Sequence, residues 1–196
     1  MQKLFLKERV VDYNSLLDMK EDMDGDIVNA KIVHETKKTK IPLPGHSQQK
    51  PFIKPSDYPD VCNQLLTLIN KWDSSKLSDD YIVWKFNYLI YNKGDYYKRH
   101  KDIAPVNNIA QSTYSTSTLI AKSTDLIGGD LILFDNKNTS LINTDLQVGE
   151  TVFFDSTTPH KVDPVIKGTR EVIISWIYKK SDLEKYNYRA GWEYVY

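Results

Sequence analysis

The sequence predicts a mainly β fold, a sandwich or jelly roll, with helices near the N-terminus in support. Three observations carry this expectation. From Tyr81 onward the chain reads almost entirely as short strand-like runs broken by turn signals, at the spacing of a sandwich or jelly roll. Its composition is rich in Tyr, Thr, Ile and Asn and low in Ala and Gly, which favours strands over a helical bundle. Between residues 56 and 75 a single apolar stripe at helical spacing stands apart from that pattern.

At 196 residues the chain is expected to be one domain, long enough to bury a core without staples. Residues 1–80 read as a supporting α/β region, 81–180 as the jelly-roll core and 181–196 as a segment folded back on it. The 26 basic and 26 acidic residues cancel, so no global field favours nucleic acid or an anionic membrane. Cys62 is the only cysteine, which excludes an intramolecular disulfide and a Cys-based zinc site. No apolar run reaches transmembrane length, and MQKLFLKERVVDYN lacks a signal-peptide core and cleavage site. A cytoplasmic or otherwise intracellular location is the resulting expectation.

Taken in order, Leu4-Phe5-Leu6 can open a strand, and Asp12 to Met23 places Leu16, Leu17 and Met19 at helical spacing. Asp24-Gly25-Asp26 signals a turn, and Asp26 to His34 alternates as a strand with His34 at its end. Thr36 to Pro55 is punctuated by four prolines and Gly45 before it ends. This long loop reads as a lid or substrate-binding segment, with His46 at its solvent-exposed tip. Ser56-Asp57-Tyr58-Pro59 has a capping residue and a first-turn proline, and Val61, Leu65, Leu68, Ile69 and Trp72 form the stripe of a helix ending near Asp73. Cys62 falls in this helix, as a small buried hydrophobe. Strands follow at 82–91, 95–100, 114–122, 130–135, 139–143, 151–155, 159–163 and 170–179. The final SDLEKYNYRAGWEYVY is too aromatic to be left unpacked.

The stretch that carries chemistry is Tyr88 to Asp102. After the turn Asn92-Lys93-Gly94-Asp95, His100 and Asp102 stand two residues apart, so strand periodicity aims an imidazole and a carboxylate at one point. That is two thirds of the two-His-one-carboxylate set that holds non-haem Fe(II). Lys98, Arg99 and Lys101 flank it and would attract an acidic substrate or cosubstrate. His160 follows the apolar run Thr151-Val152-Phe153-Phe154. Arg170 follows the turn at Lys167-Gly168, and the two are expected side by side on neighbouring antiparallel strands.

The ordered pattern Tyr91-x-x-Gly94-x-Tyr96-x-x-x-His100-x-Asp102, Gly128-Gly129-Asp130-Leu131, His160 and Pro164-Val165-Ile166-Lys167-Gly168-Thr169-Arg170 resembles the prolyl 4-hydroxylase-like 2-oxoglutarate- and Fe(II)-dependent dioxygenases. The resemblance covers roughly residues 81–178. It implies a double-stranded β-helix (jelly roll) and makes His100, Asp102 and His160 the iron ligands. Open positions remain for O2 and a chelating 2-oxo acid. It also implies that Arg170 grips the distal carboxylate of 2-oxoglutarate through its planar fork, that Tyr91 adds a phenol hydrogen bond, and that Ser117 or Thr118 supplies a further hydroxyl. Ascorbate would accompany the iron as reductant. A retained Asp102 favours hydroxylation over halogenation.

Three departures from the family pattern stand out. Arg170 replaces the Lys common in prolyl 4-hydroxylases, Ala121-Lys122 or its neighbours replace a Tyr-Leu pair, and Gly-Gly-Asp-Leu replaces Gly-Gly-Glu-Thr. The second bears on pocket shape and so on the substrate. The resemblance implies a protein or peptide substrate, with a proline-containing one first, and a free amino acid or other small molecule as the alternative. Nucleic acid fits less well, since Trp176 stands where demethylases carry a second Arg. A non-catalytic jelly-roll binding module is the reading from a different class, and the complete set of His100, Asp102, His160 and Arg170 argues against it.

Overall fold

In a computed structural model, the strands expected from Tyr81 onward assemble as two facing antiparallel sheets; residues 4–24, 45–46, 48–49, 54–103, 108–135 and 141–187 are described. The elements in chain order are β1 (Leu6–Glu8), α1 (Tyr13–Asp24), β2 (Gly45–His46), β3 (Gln48–Gln49), α2 (Pro59–Trp72), β4 (Tyr81–Tyr91), β5 (Tyr96–His100) and β6 (Tyr114–Lys122). Then come β7 (Ile127–Gly128), β8 (Leu131–Phe134), β9 (Leu141–Asn143), β10 (Thr151–Asp155), β11 (His160–Val162), β12 (Val165–Lys167), β13 (Arg170–Lys179) and α3 (Lys180–Lys185). The major sheet runs β1-β10-β6-β13-β4-β3, the minor sheet β2-β5-β11-β8-β9, and β12 pairs with β7 as a small ribbon. This is the predicted mainly β, jelly-roll arrangement.

Each strand of the major sheet divides its side chains between two cores because successive residues point to opposite faces. Phe86, Tyr88, Ile120, Phe153, Ile173 and Ile177 face outward onto the helices, where Leu16 and Met19 of α1 and Val61, Leu65, Leu68 and Ile69 of α2 cover them. The predicted stripe of α2 is therefore its buried face. Leu89, Tyr91, Leu119, Val152, Phe154 and Val172 face inward and meet Leu131, Leu133 and Val162 of the minor sheet. The functional cavity lies in this inner layer.

Several expectations are refined. Asp73 ends α2 as expected, but Pro55–Asp57 form a separate 3-10 turn and Tyr58 precedes α2 with no side-chain cap, so Ser56 does not cap the helix. Cys62 is half-buried against the helix-facing core, and loss of solvent pushes its thiol up to about 12. Leu183 of α3 packs with Ala110 and Tyr178, and residues 188–196 of the C-terminal segment lie outside the described residues. The strand expected over 26–34, with His34, and most of the loop 36–55 lie outside the described residues. Within that loop, β2 pairs with β5 and β3 with β4, so the segment tethers one strand to each sheet.

Candidate active site

The turn that aims the site is local chemistry. Gly94 takes φ +93°, a left-handed conformation open to glycine, and the Asp95 carboxylate accepts a hydrogen bond from the Asn92 amide at 2.8 Å. β5 then runs back across the inner layer and delivers His100 directly opposite His160 of β11. Their ring centroids lie 4.1 Å apart. Asp102 stands just beyond the end of β5, where its backbone N–H donates to Ser156 O at 3.0 Å and its carbonyl accepts from the Ser112 hydroxyl.

The three side chains converge. Asp102 Oδ1 is 3.4 Å from His100 Nε2, and Oδ2 is 3.6 Å from His160 Nε2. A cation bound at roughly 2 Å from each ligand spaces neighbouring ligand atoms by about 3 Å or slightly more, so this donor set fits one ion. Each histidine is also held in the useful tautomer. Nδ1 lies 2.8 Å from Lys98 O in His100 and 3.0 Å from Thr158 O in His160. A carbonyl only accepts, so Nδ1 carries the proton and the Nε2 lone pair faces the carboxylate.

Burial works on these groups in opposite ways. Burial alone would raise the Asp102 carboxyl, but the charge of His160 and the hydrogen bond and charge of His100, which act when the imidazoles are protonated in acid, outweigh it and hold it at about 2. The same burial lowers His160, against the pull of Asp102. At neutral pH the set therefore offers an ionised carboxylate and a neutral His160 imidazole.

Arg170 is placed differently from the sequence expectation. β11 and β13 belong to different sheets, so His160 and Arg170 face each other across the inner layer instead of lying on neighbouring strands. The ribbon β12–β7 takes up the chain between them, a detour that the short Lys167-Gly168 turn does not announce. The lateral neighbour of Arg170 is Tyr91, its direct partner in the β13–β4 ladder. Arg170 is 3% exposed and donates one N–H to Gly129 O. Tyr91 (2%) and Ser117 (6%) are equally withdrawn from water.

Strand register decides between the two candidate hydroxyls. Thr118 points to the helix-facing side and bonds Thr151 at 2.8 Å, whereas Ser117 faces the cavity. That cavity, about 120 Å³, is lined by Tyr91, His100, Asp102, Ser117, His160 and Arg170 among others. Among the described residues no protein group hydrogen-bonds the Tyr91 or Ser117 hydroxyl, and Arg170 keeps N–H donors beyond the one on Gly129. Such a cluster of buried donors matches a carboxylate. Sequence reasoning missed two supports of the site, Ser115 and Asn87. Ser115 hydrogen-bonds both Asp102 and, at 2.9 Å, Ser156. Asn87 lines the cavity; a polar residue at even spacing from Tyr91 within an apolar run was the signal for it.

Residues 86–178 match the family model of the 2OG-Fe(II) oxygenase superfamily. The chain carries a 2OG-Fe(II) oxygenase domain. Among curated proteins, this oxygenase domain is similar to a PKHD-type hydroxylase of Idiomarina loihiensis, 29% identical over 99 residues that make up 50% of this chain and 43% of the relative. A PKHD-type hydroxylase of a Picosynechococcus species is 31% identical over 87 residues, 44% of this chain and 38% of the relative. The matches thus span about four tenths of these relatives' length. The fold is that of a Pseudomonas putida prolyl-4-hydroxylase (TM-score 0.63, 17% identity, 90% of this chain and 92% of that one). It is also that of a viral collagen prolyl hydroxylase from Paramecium Bursaria Chlorella virus-1 (TM-score 0.63, 18% identity, 90% and 96%).

Proposed function

We propose that this chain is an Fe(II)- and 2-oxoglutarate-dependent dioxygenase that hydroxylates a C–H bond of a protein or peptide, with proline-containing substrates first. The observation that supports it most is the pairing of two sets of groups in one cavity. The His100–Asp102–His160 donor set has both Nδ1 atoms tied back, and among the described residues the buried donors of Arg170, Tyr91 and Ser117 lack protein partners to saturate them.

In this reading His100, Asp102 and His160 hold iron. Bound there with 2-oxoglutarate and O2, the metal supplies oxidative decarboxylation to succinate and CO2 and the oxidising equivalent that takes a substrate hydrogen. The protein's own share is placement. Arg170 binds the distal carboxylate of 2-oxoglutarate with two parallel charge-assisted hydrogen bonds, and Tyr91 and Ser117 add hydroxyl donors. Leu89, Leu131, Phe154 and Val172 keep water from the reacting centre, which strengthens every polar contact inside it. Ascorbate would keep the metal reduced between turnovers. A peptide substrate is supported by the fold shared with the prolyl hydroxylases and by β2 and β3, which add one strand to each sheet beside β5 and β4.

Purified protein supplied with Fe(II), ascorbate and 2-oxoglutarate is expected to form succinate without added substrate, and His160→Ala to abolish it. Iron shown to be bound, with no succinate above the His160→Ala background, would overturn the oxygenase reading.

A further inference from the structure

Asn87 is a buried carboxamide that neither the fold nor the proposed cofactor set uses. It lies four residues before Tyr91 on β4, on the same inward face, 2% exposed and lining the cavity. Its neighbours on that face are Leu89 along the strand and Ile174 across the ladder. Among the described residues no protein group hydrogen-bonds its side chain. A buried amide without partners destabilises through the lost hydration of two donors and an acceptor, and an aliphatic side chain suits this wall better.

Register shows what it can reach. Ser117, Ile174 and Asn87 form one row across β6, β13 and β4. The next row outward is Ser115, Trp176 and Lys85, and Ser115 is the residue that hydrogen-bonds Asp102. Arg170 and Tyr91 form the innermost row, with Val172 and Leu89 between. Asn87 therefore sits between the carboxylate-binding end and the level of the metal cluster. It is two strands from Ser117, or about 10 Å, too far to share a carboxylate with that hydroxyl.

We infer that Asn87 reads the substrate: its carboxamide exchanges hydrogen bonds with an amide group of the chain presented to the His100–Asp102–His160 cluster. The inference rests on the oxygenase reading and sharpens it to an amide-bearing substrate. A carboxamide offers a donor and an acceptor side by side without charge, which complements a secondary amide and gives no preference to an ion. The role is one of positioning and specificity.

The test uses Asn87→Leu and Asn87→Gln in protein loaded with Fe(II) and 2-oxoglutarate. Two probes are compared, a nine-residue peptide with one central proline flanked by glycine and alanine, and free L-proline. Asn87→Leu is expected to melt at or above the wild-type temperature, because it removes a buried amide that has no partner among the described residues. Its KM for the peptide should rise about tenfold to a hundredfold, with a smaller fall in kcat, and Asn87→Gln should recover part of the loss. A lower melting temperature for Asn87→Leu would show a structural amide and overturn the inference; so would an unmoved KM. Turnover of free proline, which has no amide, without turnover of the peptide would overturn the inference. If neither probe raises 2-oxoglutarate consumption in the wild type, the peptide reading fails. Melting alone then decides, an unchanged or raised value supporting a ligand-facing amide and a lowered one overturning it.

Discussion

Protons and a metal ion compete for the same Nε2 atoms of His100 and His160, because both Nδ1 atoms are already committed to backbone carbonyls. Affinity for a metal ion should therefore fall as pH drops and protons take these nitrogens. Burial lowers His160, which moves its part of the loss to a lower pH. Asp102, held at about 2, stays ionised throughout and adds nothing to the slope. Titration with Co(II) or Fe(II) between pH 5 and pH 8, values roughly spanning the histidine range, checks this; an affinity that does not vary would contradict the ligand set. At this scale the sequence was informative. His100, Asp102, His160, Arg170 and Tyr91 were all legible from residue type and spacing, and all reach one cavity. Ser117 and Thr118 were not separable, since period two says that they face opposite ways without saying which way is in.

Among the elements, the Gly128–Gly129 segment has the most direct hold on Arg170. Gly129 takes φ +73°, and a Cβ there would stand 2.9 Å from Val165 Cγ2 and 3.1 Å from Arg170 Cδ. Its carbonyl also accepts the Arg170 hydrogen bond. Gly129→Ala is expected to cost about 1–2 kcal/mol from the left-handed backbone alone. It should also weaken 2-oxoglutarate binding by displacing the guanidinium, as isothermal titration would show. Helix α2 makes the opposite case. Leu68 is fully buried between the helix and the outer face of the major sheet, away from the cavity. Leu68→Ala should lose roughly 2–5 kcal/mol in denaturant unfolding while leaving the KM for 2-oxoglutarate near the wild-type value. The amphipathic stripe announced this element fully. The irregularities that aim the strands were not announced. One residue of β4, Trp84, is skipped in the pairing with β13, so Tyr81 and Val83 face the helices although Asn87 and Leu89 share their parity and face the cavity. A bulge reverses the side-chain alternation, and no residue type in that run marks it.

For the molecule as a whole, the two cores divide the labour: the helix-facing layer carries stability and the intersheet layer carries the site. Ligands that bind only the folded state add stability, about 2.7 kcal/mol at a concentration one hundred times Kd. Metal and 2-oxoglutarate should therefore raise the melting temperature in two separable steps. Arg170→Ala is expected to abolish the 2-oxoglutarate step while keeping the metal step, since Arg170 is across the cavity from the metal donors on the other sheet. Loss of both steps together would remove Arg170 from its assigned role. The sequence by itself determined the strand-rich class, the covering helix and the residues that can offer metal ligands and anion-binding donors, because strand period, helical period and ligand chemistry are local properties of residues. Only the tertiary structure decided that His160 stands opposite His100, that Arg170 stands beside Tyr91 across the cavity from both histidines, and that Asn87 faces inward without a partner among the described residues. Those are matters of register between strands distant in the chain, set by which apolar faces can be buried together, and no local pattern encodes them.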